Sequence, residues 1–210
     1  MKRVSPVNIS KLDPSNDWKM ALMEIATINY NFLFDDAMAE LGCEVHSFDP
    51  SMGNTMEHVR PNGVHFHPIG IGGSTNDLFS PRNDRYTKKN PKQVWKVRTL
   101  RQIMESLGHQ DKYFDILKMD IEYYEWEALE SILKDNLTAR IRQLDIEFHI
   151  FPDTSNTKIA NFLKIYQTFK EAGFRRYASK MNYYKTNEKR IQTDCEYVNL
   201  KFDFNKYQVL

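Results

Sequence analysis

Strand-like apolar runs alternate with helix-period segments along this 210-residue chain, and the last two runs have no helix between them. That order constrains the fold more than any other feature of the sequence. Parallel neighbours need a crossover of a dozen or more residues, usually a helix, so alternation implies a parallel sheet covered on both faces. A terminal pair without a helix adds antiparallel strands. The expected fold is α/β, a doubly wound, mostly parallel sheet with a C-terminal antiparallel hairpin. It occupies one domain, residues 18–210, behind a loose polar arm over residues 1–17 that carries Pro6 and Pro14.

The strand-like runs are EVHSFDP (44–50), VHFHPIGIGG (64–73), the run inside YFDILKMDIEYYEW (113–126), IRQLDIEFHIF (141–151), FRRYASKMNYY (174–184) and CEYVNLKF (195–202). WKMALMEIATI (18–28) fits helix or strand, because a short apolar run has no decisive period. Phe34, Ala37, Met38 and Leu41 recur at helical spacing, with Asp35 and Asp36 in the first turn and Gly42 after the last. Thr99 and Gln102 have capping-box spacing ahead of the stripe Leu100, Ile103, Met104, Leu107, and Gly108 is the expected stop. Trp126, Leu129 and Leu133 mark another inward face. Ile159, Phe162, Leu163, Tyr166 and Phe169 mark a long helix closed by Gly173. Residues 74–93 are polar and read as a long surface loop, with Lys88 and Lys89 on a solvated edge.

Charge excludes some partners. Lys and Arg total 29, Asp and Glu 28, a formal net charge of +1, so there is no electrostatic case for nucleic acid or an anionic membrane. No run is long enough to span a bilayer, and no apolar segment follows the basic start as a secretory signal requires; the compartment is not legible. Two cysteines cannot build a disulfide framework, and Cys43 reads as a small core residue. Walker, dinucleotide-fingerprint and nucleophile-elbow motifs are absent.

Acids gather where strands should end: Asp49, then Asp120 with Glu122, then Glu147 beside His149. Two readings compete. Buried mid-strand acids are costly, so strand ends are where such residues must go whatever they do. Glu122, Glu125 and Glu127 also suit a helix N-terminus. Alternatively, these ends border a ligand cleft, since open parallel sheets bind ligands outside the carboxyl ends of their strands. Asp49, followed by the turn-forming Pro50, fits a carboxylate that accepts hydrogen bonds from ribose hydroxyls.

EVHSFDPS, VHFHPIGIGG, ILKMDIEYYEWEALESIL, QLDIEFHI and AGFRRYASKMNYY, in that order, resemble the FkbM-like, animal methyltransferase-like branch of the class I S-adenosylmethionine-dependent methyltransferases, over about residues 29–202. The resemblance implies a Rossmann-like, seven-stranded sheet and S-adenosyl-L-methionine as cofactor. It implies a cofactor set of Thr27, Asn29, Asp49, Pro50, Ile69, Gly70 and Asp120, with Asp49 on the ribose. The O-directed chemistry, on a small-molecule or glycan hydroxyl, is likewise implied by the resemblance alone. Two positions depart from the family pattern. Thr27 stands where a glycine opens the first loop, and Tyr123 replaces the glycine of a D-I-E-G turn. A tyrosine adopts positive φ less readily than glycine, so a turn of that shape would be strained or reshaped.

Methyl transfer from a sulfonium is an in-line displacement, and an oxygen nucleophile benefits from a base. Asp120, His149 and Glu122 are the candidate catalytic residues, with His149 the preferred base because its ordinary pKa is near 6.5. His149 capping a strand end is the competing reading. No metal is expected; the alternative is a hard cation on Asp120, Glu122, Glu147 and His149. The six histidines show no other zinc spacing, and His65 and His67 are expected only to decorate a strand face. Tyr123, Tyr124, Tyr183 and Tyr184 are candidates for a substrate surface, whereas Trp126 belongs to the core. Three functional readings stand: a methyltransferase, a catalytically silent binding module with the same fold, and a fold fragment with an aberrant N-terminus.

Overall fold

A computed structural model describes residues 21–26, 31–82, 87, 93–181 and 191–203; for residues 21–26 it describes the backbone alone. The loose arm (1–17), Thr27, Asn29, Lys88, Lys89, Tyr183 and Tyr184 lie outside the described residues.

The main sheet has eight strands. In chain order they are β1 (Ala21–Ala26), β2 (Glu44–Phe48), β3 (His58–Val59), β4 (His65–His67), β8 (Phe114–Asp120), β9 (Ile141–Ile150), β10 (Phe174–Met181) and β11 (Ile191–Asn199). Three short strands, β5 (Gly70–Ile71), β6 (Asn76–Phe79) and β7 (Trp95–Arg98), form a second sheet. The main order is β10-β11-β9-β8-β1-β2-β4-β3. From β4 to β9 every pairing is parallel; β11 joins β9 antiparallel, and β10 joins β11 antiparallel. The ambiguous segment 18–28 therefore supplies a central strand, and the expected terminal hairpin is present.

Among the described residues four α-helices connect these strands: α1 (Leu33–Glu40), α2 (Leu100–Ser106), α3 (Glu125–Lys134) and α4 (Asn156–Glu171). The larger core lies where α2, α3 and α4 meet the sheet through Ile103, Leu117, Met119, Leu129, Phe162 and Phe169. A smaller core under α1 joins Phe32, Met38, Val45 and Phe66 with Cys43, whose thiol is pushed up to about 11, first by burial and then by Asp115. Such a thiol is inert. The capping box of α2 forms as its spacing requires, and Gly108 takes a φ of +69° at its end. Among the described residues, no helix is long and apolar enough to cross a membrane.

Several expectations need correction. The main sheet has eight strands rather than seven, because β3 adds antiparallel to the edge of β4. The run 64–73 is not one strand. Pro68 offers no N–H to a ladder, so β4 stops at His67 and β5 pairs with β7 in the other sheet. The polar stretch 74–93 is not all loop, since β6 pairs with β7 and Phe79 stacks on Trp95. On α1 the expected stripe is turned outward: Phe34, Ala37 and Leu41 are exposed, while Asp35 and Met38 face in. The reason is polar. Ser47 on β2 donates its hydroxyl to the buried Asp35 carboxylate, which fixes the roll of this short helix. On α4, Leu163 is exposed because Phe162, Ile165 and Phe169 define the buried stripe.

Candidate functional site

The carboxyl ends of β2 and β8 and the small sheet border an open cleft. Asp49, Pro50 and Gly70 line it, with apolar walls from Phe48, Ile71 and Val97 and a polar side at Glu122 and Tyr124. Asp49 is almost fully buried. Its N–H donates to the His67 carbonyl at 3.1 Å, and its Oδ1 accepts the Ser51 N–H at 2.7 Å. The carboxylate is thus fixed by its own turn, as expected for an Asp directly before a chain reversal. Gly72 and Gly73 let the wall come close. A Cβ on Gly72 would lie 2.7 Å from Val97, and one on Gly73 would lie 2.9 Å from the Glu127 carbonyl. Ile69, expected beside a cofactor, packs against the larger core instead of lining the cleft.

Asp120 ends β8 immediately before two cleft residues, Ile121 and Glu122, but itself lines a second hollow. That hollow holds the charged residues Lys118, Asp145, Glu147, Lys180, Asp194 and Glu196, with Met119 and Ala178 between them. Behind Asp120 sits a nest of acids around one buried ring. His149 Nδ1 lies 2.7 Å from Glu125 Oε1; its Nε2 lies 3.4 Å from Glu147 Oε2 and 3.5 Å from Glu122 Oε2. Ligand atoms of Asp120, Glu147 and His149 come within 4.8 Å of one another. The set predicted from sequence is therefore brought together.

The electrostatics redistribute the roles. Burial alone would lower the His149 pKa. The Glu125 hydrogen bond and the charges of Glu125, Glu122 and Asp120 outweigh it and raise the ring to about 9. At neutral pH the ring is an imidazolium holding acids together, without the lone pair a base needs. Asp120 is raised to about 8 by burial and by Glu147, with which it also shares a hydrogen bond; His149 opposes the rise. Two residues of this nest escaped sequence reasoning. Glu125 looked like an ordinary first-turn acid of α3, yet it is fully buried. Gln192, which donates to Glu147, arrives from β11 and has no local signal.

The turn between β8 and α3 keeps the shape a glycine would favour. Glu122 has a φ of +50° and Tyr123 a φ of +95°. Strained residues of this kind cost about 1–3 kcal/mol each and persist only when their surroundings over-determine them. Here the Tyr123 N–H donates to Glu125 Oε1 at 3.1 Å, and its ring packs on Phe151 and Phe162. Trp126 stacks on Phe162 at 4.4 Å and donates its indole N–H to the His149 carbonyl, a core role as expected.

The sequence profile of a family described as "Methyltransferase domain" matches residues 25–198. Two proteins named "Probable methyltransferase-like protein 24", from Homo sapiens and Rattus norvegicus, are 31% identical to this chain over 117 and 118 residues. The match covers 56% of this chain and 29% of each relative, so the chain spans under a third of their length. A mutant 16S rRNA (adenine(1408)-N(1))-methyltransferase from Catenulisporales acidiphilia superposes with a TM-score of 0.42 at 10% identity, over 88% of this chain and 86% of that one. A likeness of that degree carries no argument.

Two outcomes follow from the nest and the turn. Because of the positive φ, Tyr123→Gly should be more stable than Tyr123→Ala by about 1 kcal/mol in denaturant unfolding; an alanine variant as stable as the glycine variant would remove the strain. Both His149 and Asp120 bind protons more tightly folded than unfolded, raised from ordinary values of 6.5 and 3.8. Their stabilisation is complete below the unfolded values and is lost as pH climbs through about 8 and 9. The unfolding free energy should therefore decline between pH 6.5 and 9, and a rise across that window would contradict the protonated nest.

Proposed function

The chain belongs to the methyltransferase-domain family, and from that premise we propose that it transfers a methyl group from S-adenosyl-L-methionine to a hydroxyl of a small molecule or glycan. The observation that carries this reading is the position of Asp49: a buried carboxylate, fixed by its own turn, at the carboxyl end of β2 and inside a cleft with apolar walls. The residues present fit the cofactor. Asp49 would accept the ribose hydroxyls, and Ile71, Val97 and Phe48 would flank the adenine, with Gly70 and Gly72 keeping that slot open. A finer placement, in the FkbM-like animal branch, rests on the five ordered segments alone.

When bound, the cofactor supplies an activated methyl on a sulfonium. The chain's part is to align the acceptor, exclude water and take a proton. Asp120 is the group suited to that last task. A carboxyl raised to about 8 ionises near working pH and is a far stronger base than an ordinary aspartate. His149 is then a positioning residue that holds Glu125, Glu122 and Glu147 around it. The charged side of the hollow beside Asp120 suits an acceptor rich in hydroxyls, which its acids and lysines would hydrogen-bond. Glu122, on the cleft side, would face the charged methionine end.

Calorimetric titration with S-adenosylmethionine and S-adenosylhomocysteine tests the reading. Saturable binding is expected, weakened about 10- to 100-fold in Asp49→Ala, the range for hydrogen bonds to a charged group. Asp120→Asn should keep cofactor binding and lose turnover. A cooperatively folded protein that binds neither compound would instead be a silent module of the same fold.

A further inference from the structure

The amino ends of the strands carry a second constellation, on the rim opposite the cleft. Glu44 and His46 alternate on β2 and so point the same way. His109 reaches them from the end of α2. There the His109 N–H bonds back to the Met104 carbonyl at 2.7 Å, and the positive φ of Gly108 turns the chain. His46 Nε2 lies 3.3 Å from Glu44 Oε1, and His109 Nε2 lies 3.1 Å from the same oxygen. All three ligand atoms fall within 4.8 Å of one another. Four of the six histidines meet here. His46 stacks on His65 and His67 at 4.9 and 5.3 Å and meets His109 edge-on at 5.2 Å. No zinc spacing links these histidines in sequence, yet the fold brings the four together in space.

We propose that Glu44, His46 and His109 bind a divalent transition-metal ion, Zn²⁺ foremost, with a fourth position left for water. The geometry suits it. Four ligands about 2.0–2.1 Å from a tetrahedral zinc lie about 3.3 Å apart, and the two Glu44 distances match that edge. Two imidazoles and one carboxylate are a zinc donor set. The outer contacts are those of a ligating histidine, whose far ring nitrogen is held by a further group. His46 Nδ1 meets His67 Nε2 at 3.0 Å, and His67 Nδ1 meets Glu57 Oε1 at 2.8 Å.

The row Glu57–His67–His46 is continuous and ends on Glu44. His109 also converges on that end. Lys112 stands at this spot, its Nζ 3.3 Å from Glu44 Oε2 and 3.2 Å from His109 Nε2. Its side chain is half exposed, so it can swing into solvent as the ion enters.

The test is direct uptake by the purified chain after chelator stripping. Zn²⁺ is titrated against a chromophoric chelator, and Co²⁺ is followed by its visible absorption as a four-coordinate reporter. Wild type and Asp120→Asn should bind alike. Glu44→Gln and His109→Gln should each weaken binding by more than about 100-fold, and His67→Phe by about 10- to 100-fold. Lys112→Met, which removes a competing exposed cation, should tighten binding by up to about fivefold. Should His109→Gln fail to unfold cooperatively, Glu44→Gln, at a half-buried strand end, decides alone. No saturable uptake by wild type, uptake by both ligand variants equal to that of wild type, or a loss confined to Asp120→Asn would each overturn the assignment; the last would put the ion on the opposite rim.

Discussion

One buried contact organises the carboxyl rim of this sheet. His149 and Glu125 are both fully buried and lie 2.7 Å apart, which ties the end of β9 to the first turn of α3. The same Glu125 oxygen accepts the Tyr123 N–H, so it also holds the positive-φ turn that delivers Asp120 and Glu122. Removing one partner of such a pair leaves a buried charge uncompensated, at a cost of about 3–5 kcal/mol. The nest is therefore stable only as a unit. Its surplus of acids raises Asp120 and keeps the ring protonated.

Two rims of one sheet thus do different things with similar residue types. At the carboxyl rim, acids outnumber cations, and a shared proton is the resident positive charge. At the amino rim, burial lowers His46 to about 4 and lowers His67 and His109, although Glu44 and Glu57 pull the other way. Neutral imidazoles facing a carboxylate suit a metal ion, whereas an imidazolium among carboxylates suits a shared proton. Burial and the ratio of acids to rings separate the two cases.

Much of the fold was legible beforehand. The alternation of periods, the Thr99–Gln102 cap, the Gly108 stop and the helix-free final pair each act through contacts a few residues apart, so local sequence carries them. What misled was where polar tertiary contacts overrode the apolar period. Asp35 turned α1 inward because Ser47, on a different element, bonds it. Residues 76–79 became a strand because Trp95 and its neighbours offered an edge. Tyr123 shows the opposite: its replacement of a glycine announced strain from sequence, and the turn carries that strain at φ +95°.

The sequence by itself determined that acids would gather toward strand ends, since acids cannot be left mid-strand without partners: Asp49 directly follows β2, Asp120 is the last residue of β8 and Glu122 lies just beyond it. Glu147 and His149, expected to close a strand, stand within β9 instead, paired with Asp194 and Gln192 of β11. Only the tertiary structure decided their states. The pKa of Asp120 and the charge of His149 depend on Glu125 and on Gln192-bound Glu147, which arrive from α3, β9 and β11. The grouping of Glu44, His46 and His109 likewise spans β2 and the end of α2, some 65 residues away in sequence. Charge interactions act through space over a few ångströms, and sequence spacing says nothing of which distant segments the sheet will bring that close.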